Sequence, residues 1–289
     1  MLPFFRACLW SSLVLIWPLR AAPPPAPPGF TWVRHEAFSD EFDGDRLDLA
    51  KWHDHHPYWE GRAPAKFIPR SVSVRDGMLR IRNSVLRPAE ATGKFTLAGG
   101  AVVSRSAAAH YGYYETRMKA SSVAMSSTFW LANQPVAVPG GTAKQEIDIN
   151  EAMGVSKSFP KWRTAMHANT HYFFNPAGDE KKDQSRPGQH AITPAADEAF
   201  HTYGAWWVDA NTVHYYCDDA FVFTLHPDTT YSPTPFDRPM YLNLVTETYA
   251  WEKPPTAADL ADDAKNTTYY DWVRAYTLTA KPEARANLP

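Results

Sequence analysis

The stretch SVSVRDGMLRIR, from Ser71 to Arg82, decides the class of fold. Polar and apolar residues alternate along both halves of it, which is the pattern of β-strands with one buried face. The central pair, Asp76-Gly77, suits the positive φ angles that a two-residue hairpin turn requires. The stretch therefore predicts a β-hairpin, in which two antiparallel strands are joined by a tight turn.

Outward from this hairpin, the chain continues as short strand-like runs separated by turn residues. The runs cover residues 101–105, 111–120, 127–132, 146–151, 164–170, 203–208, 212–217, 221–225, 240–245 and 269–278. Many short strands with regular turns predict an all-β protein, either a sandwich or a barrel. Neither a repeat nor a linker divides the sequence after Gly29, so we predict a single domain over residues 30–289.

The first 21 residues resemble an export signal. Arg6 supplies a positive charge, residues 7–17 are apolar, and small residues follow at Ala21 and Ala22. The apolar run is too short to span a membrane, so we expect no membrane span, cleavage near Ala21, and a secreted protein, either extracellular or periplasmic. Residues 22–29, APPPAPPG, predict an extended Pro-rich spacer ahead of the domain.

Composition narrows the range of partners. The 289 residues carry a formal net charge of -2 without a block of Lys or Arg, so a nucleic-acid partner held through its phosphates has little support. Cys8 lies in the predicted signal and leaves Cys217 without a cysteine to pair with. The 11 Trp and 14 Tyr residues suit a surface that binds sugar rings, although a tryptophan-rich core would also account for them.

Three acids stand close together in EIDINE, the stretch from Glu146 to Glu151. On a regular strand Glu146 and Asp148 share one face, whereas Glu151, an odd number of residues away, points to the other face. A one-residue β-bulge would return Glu151 to the face of the other acids and leave Ile147 and Ile149 in the core. The stretch therefore predicts a bulged strand with three carboxyl groups on one face.

Such a strand suits a retaining glycosidase, which needs two carboxyl groups about 5 Å apart. One attacks the anomeric carbon, while the other protonates the leaving oxygen and later activates water. Glu146 and Glu151 could form this pair, and repulsion between like charges would keep a proton on one of them near neutral pH. Asp148 would tune that coupling. A solvated strand face or a cation site remains an alternative.

With this motif the sequence resembles glycoside hydrolase family 16, whose bulged active-site strand carries Glu-x-Asp-x-x-Glu. FSDEFDG at 38–44, YYETR at 113–117 and FWL at 129–131 agree, and the resemblance spans about Phe38 to Tyr276. Within the family the chain looks most like the β-agarases, through YWEGR at 58–62, PAKF at 64–67, MH at 166–167, HYF at 171–173, Glu247 and Trp251. The resemblance implies a jelly-roll β-sandwich with an open substrate cleft on the concave sheet.

The resemblance also implies roles for individual residues. Glu146 would be the nucleophile and Glu151 the acid/base, with Asp148 as their partner and Trp130 as a stacking platform. Neighbouring subsites would be lined by Trp59, Arg62, His171, Glu247 and Trp251. His167 would share a strand face with His171, and it would either contact substrate or be a hydrogen-bonded histidine of a half-buried strand.

The implied activity is that of a secreted, endo-acting β-agarase, which hydrolyses the β-1,4 linkages of agarose with retention of configuration. We expect a monomer that binds a galactan and needs no organic cofactor. Porphyranases share the scaffold and accommodate a sulfate ester, for which arginine is the natural partner. Arg62, Arg163 and Arg186 therefore keep a porphyranase as the alternative. Residues 175–193, a long polar stretch, do not match the family clearly.

Two further possibilities are a protein that binds carbohydrate without catalysis and a protein that binds a metal ion. A lectin-like module would need the same sandwich and aromatic residues, and the paired acids distinguish an enzyme from it. The resemblance allows a structural Ca²⁺ near Asp40 and Asp271. The run His53-Asp54-His55-His56 offers metal-ligand types, but its spacing defines no single face, and we favour a polar loop.

Overall fold

The computed structural model describes residues 22–178 and 180–282. The predicted export signal lies outside the described residues, as do residues 283–289 at the end of the predicted domain. In chain order the strands are β1 (Phe30–Arg34), β2 (Trp52–His53), β3 (Ala65–Phe67), β4 (Val72–Arg75), β5 (Met78–Arg82), β6 (Ser84–Val85), β7 (Leu97–Ser104), β8 (Gly112–Lys119), β9 (Ser127–Ala132), β10 (Val136–Val138), β11 (Gly141–Ala152), β12 (Ala165–Pro176), β13 (Lys182–Ser185), β14 (Gly188–Ala191), β15 (His201–Asp209), β16 (Thr212–Cys217), β17 (Ala220–Leu225), β18 (Tyr241–Thr246) and β19 (Thr267–Ala280).

The helical elements of the described residues are short 3-10 turns over Glu36–Phe38, Pro69–Ser71, Pro160–Arg163 and Asp259–Ala261. Such turns connect strands at the surface and do not form a layer of their own. Across the described ranges, no helical segment has the length and apolar character to cross a bilayer. The prediction of an all-β fold is confirmed.

The strands form two sheets, which we name the outer sheet and the cleft sheet. Within the described part of the chain, the outer sheet has eight strands in the order β17-β16-β15-β8-β19-β5-β4, with β1 paired to β19. The cleft sheet has eleven strands in the same described part, in the order β13-β12-β11-β9-β18-β7-β2, with β10, β14, β3 and β6 attached to them. This is the predicted β-sandwich of the jelly-roll kind.

The hairpin that decides the fold forms the end of the outer sheet. Asp76 and Gly77 adopt φ angles of 53° and 68°, as a tight turn between twisted strands requires. Val74 pairs with Leu79, and both side chains point inward and are buried. The alternation read in the sequence therefore corresponds to one core face and one solvent face.

The main core lies between the two sheets. Leu79 and Met118 reach it from the outer sheet, and Phe129, Ile147 and Leu244 from the cleft sheet, all of them fully buried. Burial of each such side chain contributes roughly 1.5–3 kcal/mol to stability. The core therefore fixes the cleft sheet from behind and leaves its other face for a site.

A bulge interrupts the pairing of β11 with β9. Asp148 lies opposite Trp130 and Asn150 opposite Phe129, so Ile149 has no partner on β9. Ile147 and Ile149 both enter the main core with 0% exposure. The bulged strand predicted from EIDINE is thus confirmed, with its irregularity at the predicted place.

The Pro-rich segment 22–29 precedes β1 without regular secondary structure. It is tied to the domain, because Trp32 Nε1 donates a hydrogen bond of 2.6 Å to the carbonyl oxygen of Pro24. The amide of Lys281 also donates to the carbonyl oxygen of Gly29 at 2.9 Å. The segment therefore lies along the domain at β1, closer to it than a free spacer would be.

Candidate active site

A cleft of about 760 Å³ lies on the face of the cleft sheet that points away from the core. Strands β9, β11, β12 and β18 form its floor, and loops before β3, after β11 and after β18 form its walls. Its volume falls within the range of small-molecule and oligosaccharide sites. The side chains on the floor are those that alternate with core residues along each strand.

Glu146, Asp148 and Glu151 all line this cleft. Glu146 and Asp148 alternate with the core residue Ile147, and the bulge at Ile149 brings Glu151 back to the same face. The three carboxyl groups predicted to work together are therefore adjacent. Three acids on one face repel each other unless protons or cations intervene.

The two outer acids of this group have different partners. Lys144 Nζ donates a hydrogen bond of 2.5 Å to Glu146 Oε2 and forms an ion pair with that carboxyl group. Glu151 Oε1 accepts a hydrogen bond of 2.5 Å from the hydroxyl of Tyr249. Burial raises the pKa of Glu151, the charge of Glu146 raises it further, and the bond from Tyr249 only partly opposes the increase. Glu146 thus has a cation beside it, whereas Glu151 is arranged to retain a proton.

Asp148 lies between them and is almost completely buried. Burial raises its pKa well above the usual value, and the charges of Glu146 and Glu151 add to that increase. His171 Nε2 lies 3.4 Å from Asp148 Oδ2, and His171 Nδ1 lies 2.8 Å from Asp183 Oδ1. A protonated Asp148 adds no negative charge beside Glu146 and Glu151.

The charge of His171 is set by opposing effects. Burial disfavours its protonated form, but the hydrogen bond with Asp183 and the nearby charge of Glu146 outweigh burial, and the pKa of His171 is raised. The imidazole is therefore held in place by Asp183 on one side while it faces the acids on the other. Asp183 belongs to β13, within the polar stretch that the sequence analysis could not match.

Aromatic rings form the floor beside the acids. Trp130 lies opposite Asp148 on β9, and the ring of His56 stacks on it with centroids 6.1 Å apart and planes at 16°. Burial, followed by the charge of Lys144, lowers the pKa of His56 to about 4, so this ring is neutral at neutral pH. His53 ends strand β2, and residues 54–56 form a polar loop that also places His56 in the cleft.

The opposite wall carries Arg62. Its Nε donates a hydrogen bond of 2.8 Å to Glu247 Oε2, and its guanidinium carbon lies 5.0 Å from the ring centroid of Tyr249 and 5.8 Å from that of Trp59. Burial raises the pKa of Glu247 to about 7 although Arg62 opposes the increase. The terminal nitrogens of Arg62 take part in none of the hydrogen bonds found in the described chain, so an anionic ligand could engage them.

A second aromatic group stands at the Glu151 end. Trp251 stacks on Tyr249 at 4.7 Å between centroids, and Trp162 lies 5.1 Å from Trp251. His167 stacks against Trp162 at 4.9 Å, but it does not line the cleft itself. It hydrogen-bonds with Gln189, so the interpretation of His167 as a hydrogen-bonded histidine of a half-buried strand describes its surroundings better.

Most of the predicted site residues come together here. Those that line the cleft are Glu146, Asp148, Glu151, Trp59, Arg62, Trp130, His171, Glu247 and Trp251. Sequence reasoning missed several others because they come from loops or from positions without a motif. These are His56, Tyr58, Lys144, Trp162, Asn169, Phe173, Lys181, Asp183, Tyr241, Asn243 and Tyr249.

The residues predicted to hold calcium are elsewhere. Asp40 accepts hydrogen bonds from the amide of Phe42 at 2.9 Å and from Trp52 Nε1 at 2.8 Å. Asp271 accepts a hydrogen bond of 2.6 Å from Arg117. Because donors of the protein engage these oxygens, the arrangement gives the calcium prediction no support, and no step below involves a metal.

Fold and site together define a class of protein, a glycoside hydrolase built on a β-sandwich, with paired carboxyl groups and aromatic platforms in one cleft. Comparison with known families makes this specific. Residues 32–278 match the family model described as "Beta-porphyranase A-D, GH16 domain". The chain therefore belongs to glycoside hydrolase family 16, as the motif around Glu146 indicated.

Individual relatives agree with this family. The chain is 54% identical over 254 residues to Beta-porphyranase E of Zobellia galactanivorans, covering 87% of this chain and 90% of the relative. A crystal structure of a β-porphyranase from the human gut bacterium Bacteroides plebeius is 50% identical, with a TM-score of 0.84, and covers 89% of this chain and 95% of that one. A beta-agarase of Phocaeicola plebeius is more distant, 28% identical over an alignment of 293 positions that covers 91% of this chain and 90% of the relative.

Proposed function

We propose that this protein is an endo-acting β-porphyranase, which hydrolyses β-1,4 linkages of a sulfated galactan with retention of configuration. The observation that carries the chemistry is the contrast between the surroundings of Glu146 and Glu151. A nucleophile and a general acid are usually two carboxyl groups in different electrostatic surroundings. Here Lys144 Nζ lies 2.5 Å from Glu146 Oε2, whereas burial raises the pKa of Glu151.

In the first step, the galactosyl ring lies on Trp130 and the carboxylate of Glu146 attacks the anomeric carbon. Glu151 gives its proton to the glycosidic oxygen, the bond to the leaving sugar breaks, and a covalent glycosyl-enzyme forms. Burial keeps Asp148 protonated, so it adds no further negative charge beside the nucleophile. The galactan fragment on the leaving side of the cleaved bond then dissociates from the open cleft, and the other fragment stays bound to Glu146.

In the second step, Glu151 is a carboxylate and takes a proton from water, which attacks the anomeric carbon and releases Glu146. The hydroxyl of Tyr249 stabilises the ionised Glu151 at this stage, because it donates a hydrogen bond to that oxygen. Two successive inversions give net retention. The mechanism requires no organic cofactor.

The relatives bear on the choice between two galactan substrates. The sequence motifs predict a β-agarase first and a β-porphyranase as the alternative, and the relatives favour the alternative. Two proteins named β-porphyranase are 54% and 50% identical to this chain, whereas the named agarase is 28% identical. Arg62 is the arginine in the cleft that suits a sulfate ester. Arg163 pairs with Asp197 and Glu198, and Arg186 with Asp228, outside the cleft lining.

We also propose that the protein acts outside the cytoplasm, since a galactan polymer cannot enter a cell intact. The sequence of residues 1–21 is the basis of that proposal. Cell fractionation with detection of the cleaved N-terminus at Ala22 tests it, and retention of an uncleaved chain in the cytoplasm would contradict it.

The test of the activity is reducing-sugar release by purified protein on porphyran, chemically desulfated porphyran and agarose, with Glu151→Gln as the control. We expect turnover on porphyran at least about tenfold higher than on agarose, and loss of turnover in Glu151→Gln. An NMR time course should show the β-anomer as the first product. Activity on agarose alone would restore the agarase interpretation. Binding without product on any substrate would indicate a lectin-like module.

A further inference from the structure

Two lysines surround Phe173 on the floor of the cleft. Lys181 Nζ lies 3.6 Å from the centroid of the Phe173 ring, and Lys144 Nζ lies 5.3 Å from the same centroid. Both lysines line the cleft, and Phe173 itself is buried beneath them. A cation over an aromatic face is held there by the ring quadrupole, so the two ammonium groups are positioned above one apolar platform.

Phe173 and Lys181 lie on the other side of the catalytic strand β11 from Arg62, and Lys144 lies on β11 itself. Phe173 belongs to β12, whereas Glu247, which holds Arg62, follows β18. In the cleft sheet the order β12-β11-β9-β18 places β11 between them. A polysaccharide that crosses β11 along the cleft would therefore meet cationic groups before and after the bond that is cut.

The charges of this group are incompletely neutralised. Lys144 shares its charge with Glu146, at 2.5 Å, but an ammonium group has three donors and can hold a second anion. Lys181 has no salt bridge with any acid among the described residues. Cations without a counterion in a ligand cleft favour an anionic ligand, and an apolar ring below them suits the C–H face of a sugar.

We infer that Lys144, Lys181 and Phe173 form a second anion subsite, which binds a sulfate ester of the galactan on the opposite side of β11 from Arg62. This inference rests on the proposed function, because it assigns the site to the same polymer. A sulfate ester is ionised at every pH at which the protein is folded, so its attraction to lysine does not depend on titration of the ligand. With this subsite, the protein would bind sulfate groups of the polymer on both sides of β11.

The inference also gives a role to the polar stretch that the sequence analysis left without one. Residues 175–193 continue β12, turn, and return as β13 and β14, both paired with β12. The turn ends at Lys181 and the first paired residues include Asp183, which holds His171. This segment therefore contributes Asp183, which contacts His171 beside the acids, and Lys181, which belongs to the proposed anion subsite.

Lys181 is the residue to vary, because Lys144 also contacts the proposed nucleophile. The variants Lys181→Gln and Lys181→Glu are compared with the unaltered protein on porphyran and on chemically desulfated porphyran. Lys94→Gln is the matched control, because Lys94 also lies over a phenylalanine ring, 5.7 Å from the centroid of Phe95, and does not line the cleft. Thermal unfolding of each variant checks that the fold is kept.

On porphyran we expect Lys181→Gln to raise KM about fivefold with kcat within about twofold, and Lys181→Glu to raise KM further, consistent with one partly exposed charge contact. On desulfated porphyran the variants and the unaltered protein should agree within about twofold. Lys94→Gln should match the unaltered protein on both.

Three results would overturn the inference. If KM on porphyran is unchanged for both Lys181 variants, the proposed anion subsite is contradicted and the proposed function is unaffected. An equal loss on sulfated and desulfated polymer means that Lys181 contacts the sugar and not its sulfate. An unaltered protein that fails to cut porphyran removes the proposed function and this subsite together.

Discussion

The two faces of the strand segment from Glu146 to Glu151 carry opposite kinds of side chain. On the cleft face stand three acids, two of them with pKa values raised by burial. On the core face stand Ile147 and Ile149, both fully buried between the sheets. Burial of the acids costs free energy when they are ionised, as their raised pKa values show, whereas burial of the isoleucines stabilises the fold. Residues next to each other in sequence therefore have different roles: the acids line the cleft and the isoleucines pack in the core. Alternation along the strand places them on opposite faces of the sheet.

The largest expected effect is on the cleft face. Glu146→Gln should lower kcat by about 10³-fold or more, because it removes the proposed nucleophile. The free energy of unfolding should stay within about 1 kcal/mol of its original value, since a charge is removed from a crowded group of acids. Reducing-sugar assays and urea denaturation measure the two quantities. A large loss of stability would mean that Glu146 also supports the fold, and the two faces would not be separate.

The matching change on the core face is Ile147→Ala. It should lower the free energy of unfolding by about 2–5 kcal/mol, through lost burial and a cavity between the sheets. Activity of the folded fraction should remain within about threefold at a temperature where the variant is folded. Urea denaturation followed by Trp fluorescence measures the change. A collapse of kcat in fully folded protein would show that core packing sets the geometry of the acids.

Asn150 sharpens the comparison, because it is a polar residue on the core face. It is fully buried, its Nδ2 lies 4.0 Å from Met118 Sδ, and its Oδ1 has no hydrogen-bond partner in the described chain. Asn150→Val should therefore raise the free energy of unfolding by about 1 kcal/mol. Urea denaturation checks this. Should the variant be less stable, the amide must have a partner, such as a buried water, that replaces the missing bond.

The smallest effect is a shift in pH dependence on the cleft face. The hydroxyl of Tyr249 stabilises the ionised form of Glu151, so Tyr249→Phe should raise the pKa of Glu151 further. The first step needs protonated Glu151, and activity falls as pH rises through that pKa. The alkaline limb of kcat/KM should then move up by about half a pH unit to one unit. A move to lower pH would contradict the acid/base role of Glu151.

Local patterns made much of this strand predictable. The bulge at Ile149 follows from counting residues between acids, and the hairpin at Asp76-Gly77 follows from alternation and turn chemistry. Both depend on neighbours in sequence, which a linear pattern records. The strand β9 has the predicted limits, residues 127–132, for the same reason. The short edge strands β2, β3, β10, β13 and β14 carry too few alternating residues to be recognised.

The remaining parts of the site depend on contacts between distant segments. Tyr249 reaches Glu151 across 98 positions of sequence, and Arg62 reaches Glu247 across 185. No spacing rule predicts such pairs from one chain. His56 was assigned to a polar loop because its neighbours are polar, and only the approach of that loop to Trp130 brings it into the cleft. Family resemblance pointed to Arg62 and Glu247, which both line the cleft, and it could not indicate residues without a motif.

The bulge at Ile149 has a genetic consequence. Removing the one codon for Ile149 would restore regular pairing between β11 and β9, since Asp148 and Asn150 already face adjacent residues of β9. In that shorter strand Glu146, Asp148 and Glu151 would still point into the cleft, because simple alternation then gives them the same face. A bulged and an unbulged form of this strand are therefore separated by a single in-frame deletion. Lineages could pass between the two without moving any of the acids to the other side of the sheet.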